Sequence, residues 1–100
     1  MEYKRLGRTG LKVSRLCLGT MTFGNQCDEK LSHSILDYAV DSGISFIDTA
    51  DIYPANGKPE LVGETEKIIG RWIPAKRDDV VLATKFWAPT GKNPWQGGSS

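Results

Sequence analysis

The chain has 100 residues, 39% hydrophobic and 25% charged, the balance of an ordinary globular domain with a modest core. Thirteen basic and twelve acidic side chains leave a formal charge of +1, which gives no argument for a nucleic acid or an anionic membrane surface as partner. No apolar run approaches the ~18 residues of a membrane span, and the polar start Met1-Glu2-Tyr3-Lys4-Arg5 lacks the apolar stretch of a signal peptide, so a soluble, cytoplasmic protein is expected.

The first segment reads as a hairpin. Tyr3 to Leu6 forms one short strand, Gly7-Arg8-Thr9-Gly10 the turn, and Leu11 to Arg15 the return. Leu16-Cys17-Leu18-Gly19 is a short apolar run that suits a strand buried on both faces. Cys17 within it reads as a small buried residue. With no secretion signal, a disulfide between Cys17 and Cys27 is not expected, and no Cys-x-x-Cys pair points to a metal. A helix follows, capped by Asp28, with Leu31, Ile35 and Ala39 beside Leu36 and Val40 as its apolar stripe and Gly43 as its stop. His33, the only histidine, lies off that stripe and reads as a solvated surface residue.

A second strand spans Ile44 to Asp48, followed by a loop through Pro54, Asn56, Gly57 and Pro59. A second helix covers about Leu61 to Ile73 and ends at Pro74. The third strand is Val80 to Lys85, apolar in its first four residues. The order is hairpin, β, α, β, α, β, with the spacing of βαβ units, which predicts a parallel sheet covered by helices. From Ala88 to Ser100 the composition is that of a loop.

The polar residues that strand patterning does not explain share one location. Gly19-Thr20, Asp48 with Tyr53 close behind, and Lys85 all lie at carboxyl ends of parallel strands, where ligands bind in barrels and open α/β sheets. A carbonyl that accepts hydride needs a proton for the developing alkoxide. A tyrosine hydroxyl ordinarily ionises near ~10, and a neighbouring ammonium favours the phenolate. A carboxylate beside that lysine keeps it charged and oriented, so Asp48, Lys85 and Tyr53 make a coherent acid-activation relay. No side chain supplies a hydride, so that group must come from a cofactor. Taken singly, each residue also has a bland reading: Asp48 as a cap, Tyr53 as packing, Lys85 as a solvated strand end.

Gly19-Thr20-Met21-Thr22-Phe23-Gly24, Phe46-Ile47-Asp48-Thr49-Ala50-Asp51-Ile52-Tyr53 and Ala83-Thr84-Lys85-Phe86 resemble the aldo-keto reductases, and the Asp-Thr-Ala-x-x-Tyr run is the most specific of these. The hairpin Leu6 to Ser14 is similar to that of bacterial-type members and of the related potassium-channel β-subunits. The resemblance covers nearly the whole chain. It implies an α/β fold, the (β/α)8 barrel, of which residues 1–100 supply the hairpin, the first three strands and two helices. It implies NADP(H) as cofactor without a Rossmann motif, and none is present here. By motif match, Tyr53 is the general acid/base, tuned by Lys85 and Asp48, while Gly19, Thr20, Met21 and Asp48 line the nicotinamide side. The substrate is a small carbonyl or alcohol.

The family's catalytic histidine belongs to the fourth strand, and His33 does not stand in for it. A barrel of this kind takes roughly 250 residues, so the 100-residue chain by itself is expected to fold poorly or associate, and to lack reductase activity. Two other functions stay open: a nucleotide-binding regulatory subunit of the same fold, and a short non-catalytic chain. Trp87 and Trp95, after the third strand, are either an aromatic wall for the substrate or loop packing.

Overall fold

A computed structural model describes residues 1–99. Seven regular elements follow one another: strands β1 (Tyr3–Arg5), β2 (Lys12–Ser14) and β3 (Cys17–Gly19), helix α1 (Glu29–Asp41), strand β4 (Phe46–Asp48), helix α2 (Glu64–Trp72) and strand β5 (Val81–Ala83). β1 and β2 form the antiparallel hairpin, and β3, β4 and β5 form a parallel sheet in that order. Register places Gly19 beside Asp48 and Asp48 beside Ala83, so the three strands end level with one another.

Alternation along the strands then decides the two faces. Leu18, Ile47 and Leu82 face the helices and pack into the core of Phe23, Leu36, Ile68, Ile69, Trp72 and Val80. The opposite face carries Cys17 and Gly19, Phe46 and Asp48, Val81 and Ala83. β3 is therefore not buried on both faces. Leu18 is half-buried, whereas Cys17 and Gly19 are exposed, because among the described residues no layer covers their side of the sheet. Among the described residues Cys17 is correspondingly an exposed free thiol, and Cys27 is also free.

α1 begins where its cap predicts, with the Asp28 carboxylate accepting the Leu31 amide at 2.8 Å. Gly43 ends it at φ 96°, a conformation that favours glycine, and an added Cβ would lie 2.9 Å from the Cβ of Met1. The buried stripe is Ser32, Leu36 and Ala39; Leu31 is half-exposed instead. Ser32 tolerates burial because its hydroxyl donates back to the Asp28 carbonyl at 2.7 Å.

α2 is shorter than its apolar pattern suggests. Pro59–Leu61 makes a separate 3₁₀ turn, Gly63 breaks the chain at φ 88°, and Ile73–Ala75 continues as another 3₁₀ turn containing Pro74. The two helices are joined by polar contacts as well as by the core. Arg71 forks onto the Glu29 carboxylate, the shortest bond being 2.7 Å, and the Trp72 indole donates to Asp37 at 2.8 Å. His33 belongs to this seam rather than to the open surface: its Nε2 lies 2.8 Å from the Ile68 carbonyl.

The hairpin docks at the amino end of the sheet. Ser14 and Ser45 exchange bonds, each backbone amide donating to the other hydroxyl at 3.0 and 2.9 Å, and the Tyr3 hydroxyl donates to the Gly43 carbonyl at 2.7 Å. That leaves the carboxyl ends of β3, β4 and β5 free of it.

Candidate active site

The open face of the parallel sheet brings Asp48 and Lys85 together. Asp48 is the last residue of β4, and Lys85 lies two residues beyond Ala83 on the same face of β5. The Lys85 ammonium donates to Asp48 Oδ2 at 2.8 Å and to the Thr49 carbonyl at 2.6 Å. The ladder continues past the strands to hold this geometry, through the Thr49 amide to the Ala83 carbonyl at 2.8 Å and the Asp51 amide to the Lys85 carbonyl at 3.1 Å.

Tyr53 arrives from the loop after β4. Its carbonyl accepts the Gly63 amide at 3.1 Å and the Thr65 amide at 3.4 Å, so the amino end of α2 fixes its backbone. Its ring sits beside Lys85, with Nζ 4.8 Å from the ring centroid, within reach of a cation–π contact. The lysine is thus shared between a carboxylate and a phenol. Its side chain is 48% exposed. The hydrogen bond it donates to Asp48 is the main cause that raises its pKa above the ordinary lysine value; desolvation opposes the shift, and the Tyr53 hydroxyl adds to it. The lysine is therefore held charged beside the phenol. Tyr53, Lys85, Phe86 and Trp87 border one apolar recess of about 270 Å3, with Ala50 and Ile52 among its other walls.

The residues after β3 split into two roles. Gly19 is exposed, and nothing lies within 4 Å of the position its Cβ would take. Met21 is 50% exposed, and its carbonyl accepts the Ala55 amide at 2.8 Å, which ties this loop to the Tyr53 loop. Thr20 is turned inward, 1% exposed, with its hydroxyl donated to the Asp48 carbonyl at 2.8 Å. Its side chain therefore braces Asp48 instead of facing a ligand. His33 lies on α1 in the helix seam, away from this group. Trp95 borders a second recess with Trp87 and Gly97.

Two participants are not legible as such in the sequence. The Thr49 carbonyl holds Lys85, and the Thr84 hydroxyl donates to Glu66 at 2.8 Å. The signal available was the recurrence of threonine directly after each strand end. Among the described residues no three or more His, Cys, Asp or Glu side chains are grouped to hold a metal ion, and no helix is long and apolar enough to cross a membrane.

Lys85 thus joins Asp48, at the end of β4, to Tyr53, in the loop that follows. The model of the Aldo/keto reductase family matches residues 15–100. This chain belongs to the aldo/keto reductase family. The uncharacterized oxidoreductase YrpG of Bacillus subtilis (strain 168) is 55% identical over 92 residues, covering 89% of this chain and 27% of that protein. A probable voltage-gated potassium channel subunit beta of Arabidopsis thaliana is 46% identical over 96 residues, covering 93% of this chain and 28% of that protein. A solved Pseudomonas aeruginosa structure assigned to the aldo-keto reductases superposes with a TM-score of 0.71 at 35% identity, over 85% of this chain and 31% of that one. The chain thus spans less than a third of the length of these relatives. Its fold class is that of the family's (β/α)8 barrel, with the hairpin and three parallel strands as the opening units.

Proposed function

We propose that the protein carrying this aldo/keto reductase segment reduces aldehydes or ketones to alcohols with NADP(H), and that Tyr53 delivers the proton. The observation that supports this most is Lys85 held at 2.8 Å by Asp48 while its ammonium lies 4.8 Å from the Tyr53 ring centroid. The residues present also fit a nicotinamide group: Gly19 leaves open space on the face that bears Asp48, and half-exposed Met21 flanks it. When bound, that group supplies the hydride.

The protein's own residues do the rest. Gly19, Met21 and Asp48 would be the residues that hold the nicotinamide group. Tyr53 hydrogen-bonds the substrate oxygen from the apolar recess and gives it the hydroxyl proton as negative charge develops there. The Lys85 ammonium stabilises the phenolate that remains, and Asp48 with the Thr49 carbonyl keeps that ammonium aimed. In the reverse direction the same phenolate takes the proton from an alcohol.

The test is isotopic. The full protein is incubated with 4-nitrobenzaldehyde and NADPH deuterated at the transferring nicotinamide position, and the alcohol is weighed by mass spectrometry. Deuterium in the product is expected, and turnover with NADPH exceeding that with NADH. Product without label, or no product, contradicts the reading. The likeness to a potassium channel β-subunit favours a second reading, a regulatory subunit that binds the nucleotide. In that case NADPH binds, as seen by fluorescence, but the aldehyde is not turned over.

A further inference from the structure

Each parallel strand closes with the same step, a residue on the open face followed by a threonine: Gly19-Thr20, Asp48-Thr49 and Ala83-Thr84. Because Gly19, Asp48 and Ala83 lie side by side, the three threonines form a row one residue further on, on the helix-facing side. Thr20 and Thr49 are both buried there. Thr20 braces the Asp48 carbonyl, as described above. Thr84 reaches the other way, and its hydroxyl donates to Glu66 Oε2 at 2.8 Å, across to the first turn of α2.

We propose that Thr84 and Glu66 are a positioning pair for Lys85, clamping the end of β5 to α2 so that the ammonium stays between Asp48 and Tyr53. The inference rests on the catalytic reading of Tyr53, Lys85 and Asp48. Its basis is strand geometry. Thr84 and Lys85 are consecutive and point to opposite faces, so a rotation at Thr84 moves Lys85 directly. Ladder bonds to the Ala83 and Lys85 carbonyls hold this segment to β4 and the residues after it. The Thr84 side chain supplies the corresponding hold toward the helices. The same helix start fixes the Tyr53 carbonyl, so the clamp refers the lysine and the tyrosine to one rigid element. A hydrogen bond onto a carboxylate is the stronger kind of neutral-donor bond, suited to that task.

The test uses the full protein, 4-nitrobenzaldehyde and NADPH, with four variants. Thr84→Val keeps the side-chain shape and removes the donor; a fall in kcat of about tenfold with KM within about twofold is expected, since displacements of about 1 Å cost up to a hundredfold. Thr84→Ser retains the hydroxyl and is expected to restore kcat to within about twofold. Asp37→Ala removes the Trp72 partner at the far end of the same helix, so it tests mere loosening of α2, and it is expected to leave kcat unchanged. An activity-independent readout is the pH dependence of lysine acylation at Lys85, followed by mass spectrometry, which moves to lower pH in Thr84→Val as Asp48 contact is lost. Unchanged kcat and acylation in Thr84→Val, failure of Thr84→Ser to recover, or an equal loss in Asp37→Ala each overturns the proposal. Tyr53→Phe separates the two levels: full activity in that variant overturns the catalytic reading and the clamp with it, whereas loss there beside an unaffected Thr84→Val overturns the clamp alone.

Discussion

Replacing Asp48 by Asn separates what this carboxylate does for stability from what it does for chemistry. The substitution keeps the size and an acceptor for Lys85 but removes the charge. At 2.8 Å the pair would be worth about 1.5 kcal/mol in bulk water. The side chains are 48% and 40% exposed, so solvent screens the attraction and side-chain ordering offsets part of it. Measured pairs of this kind give about 0.2–1 kcal/mol, and unfolding free energy should fall by no more than that. Catalysis should fall further. The pair energy alone accounts for about a fivefold effect, and an ammonium that drifts by about 1 Å from the phenol adds to it, so kcat is expected to drop roughly 10- to 100-fold. The assay is steady-state reduction of 4-nitrobenzaldehyde by the full protein, beside urea unfolding of the same samples. A kcat within about twofold of the unchanged protein would refute the reasoning, because the lysine would then not depend on its carboxylate.

Three further outcomes follow from particular contacts. Ile47 is fully buried at the centre of the core, and Ile47→Ala should cost about 2–5 kcal/mol in urea unfolding of the full protein; a loss under about 1 kcal/mol would mean the sheet and helices are not packed as described. Partial desolvation of the sulfur raises the pKa of Cys17 although the residue as a whole is exposed, the nearby Asp48 charge adds to this, and Lys85 opposes it. The thiol should therefore react with iodoacetamide at mildly alkaline pH more slowly than free glutathione does, despite its exposure; faster labelling contradicts the described surroundings. Glu29 is held below its ordinary value of 4.5, chiefly by the Arg71 hydrogen bonds. A depressed folded pKa gives stability that is present above 4.5 and disappears as pH falls through the folded value. Glu29→Gln should flatten the acid limb of the stability curve, and an unchanged limb counts against the Arg71 fork.

Element type and order were legible because the strong local signals agree with the tertiary fold. Asp28 does cap α1, Gly43 does end it, and the apolar run at Val80 does become a strand. The errors share a physical origin. Strand burial depends on what lies against each face, so among the described residues Cys17, apolar in its sequence context, is exposed on the open side. Helix periodicity marked a stripe but not which edge of it is deepest, so Ser32 is buried where Leu31 was expected. His33 lies off that stripe yet contacts the Ile68 carbonyl, because the second helix crosses there.

The candidate site shows the same division. Asp48, Tyr53 and Lys85 stand out as residues that strand patterning does not call for, and the fold does bring them within reach of one another. Gly19 and Met21 open onto their face. The inward turn of Thr20, the carbonyl of Thr49 and the Thr84–Glu66 bond depend on strand register and on the position of α2. Neither is encoded in local spacing.

Tyr53→Phe in the full protein tests the central claim most directly, because it removes a single hydroxyl from the ring beside Lys85. With 4-nitrobenzaldehyde and NADPH, the expected result is a loss in kcat of about a hundredfold or more, the share a general acid contributes, with NADPH binding and unfolding free energy unchanged. A Tyr53→Phe protein that reduces the aldehyde at the original rate would contradict the assignment of the proton to this tyrosine.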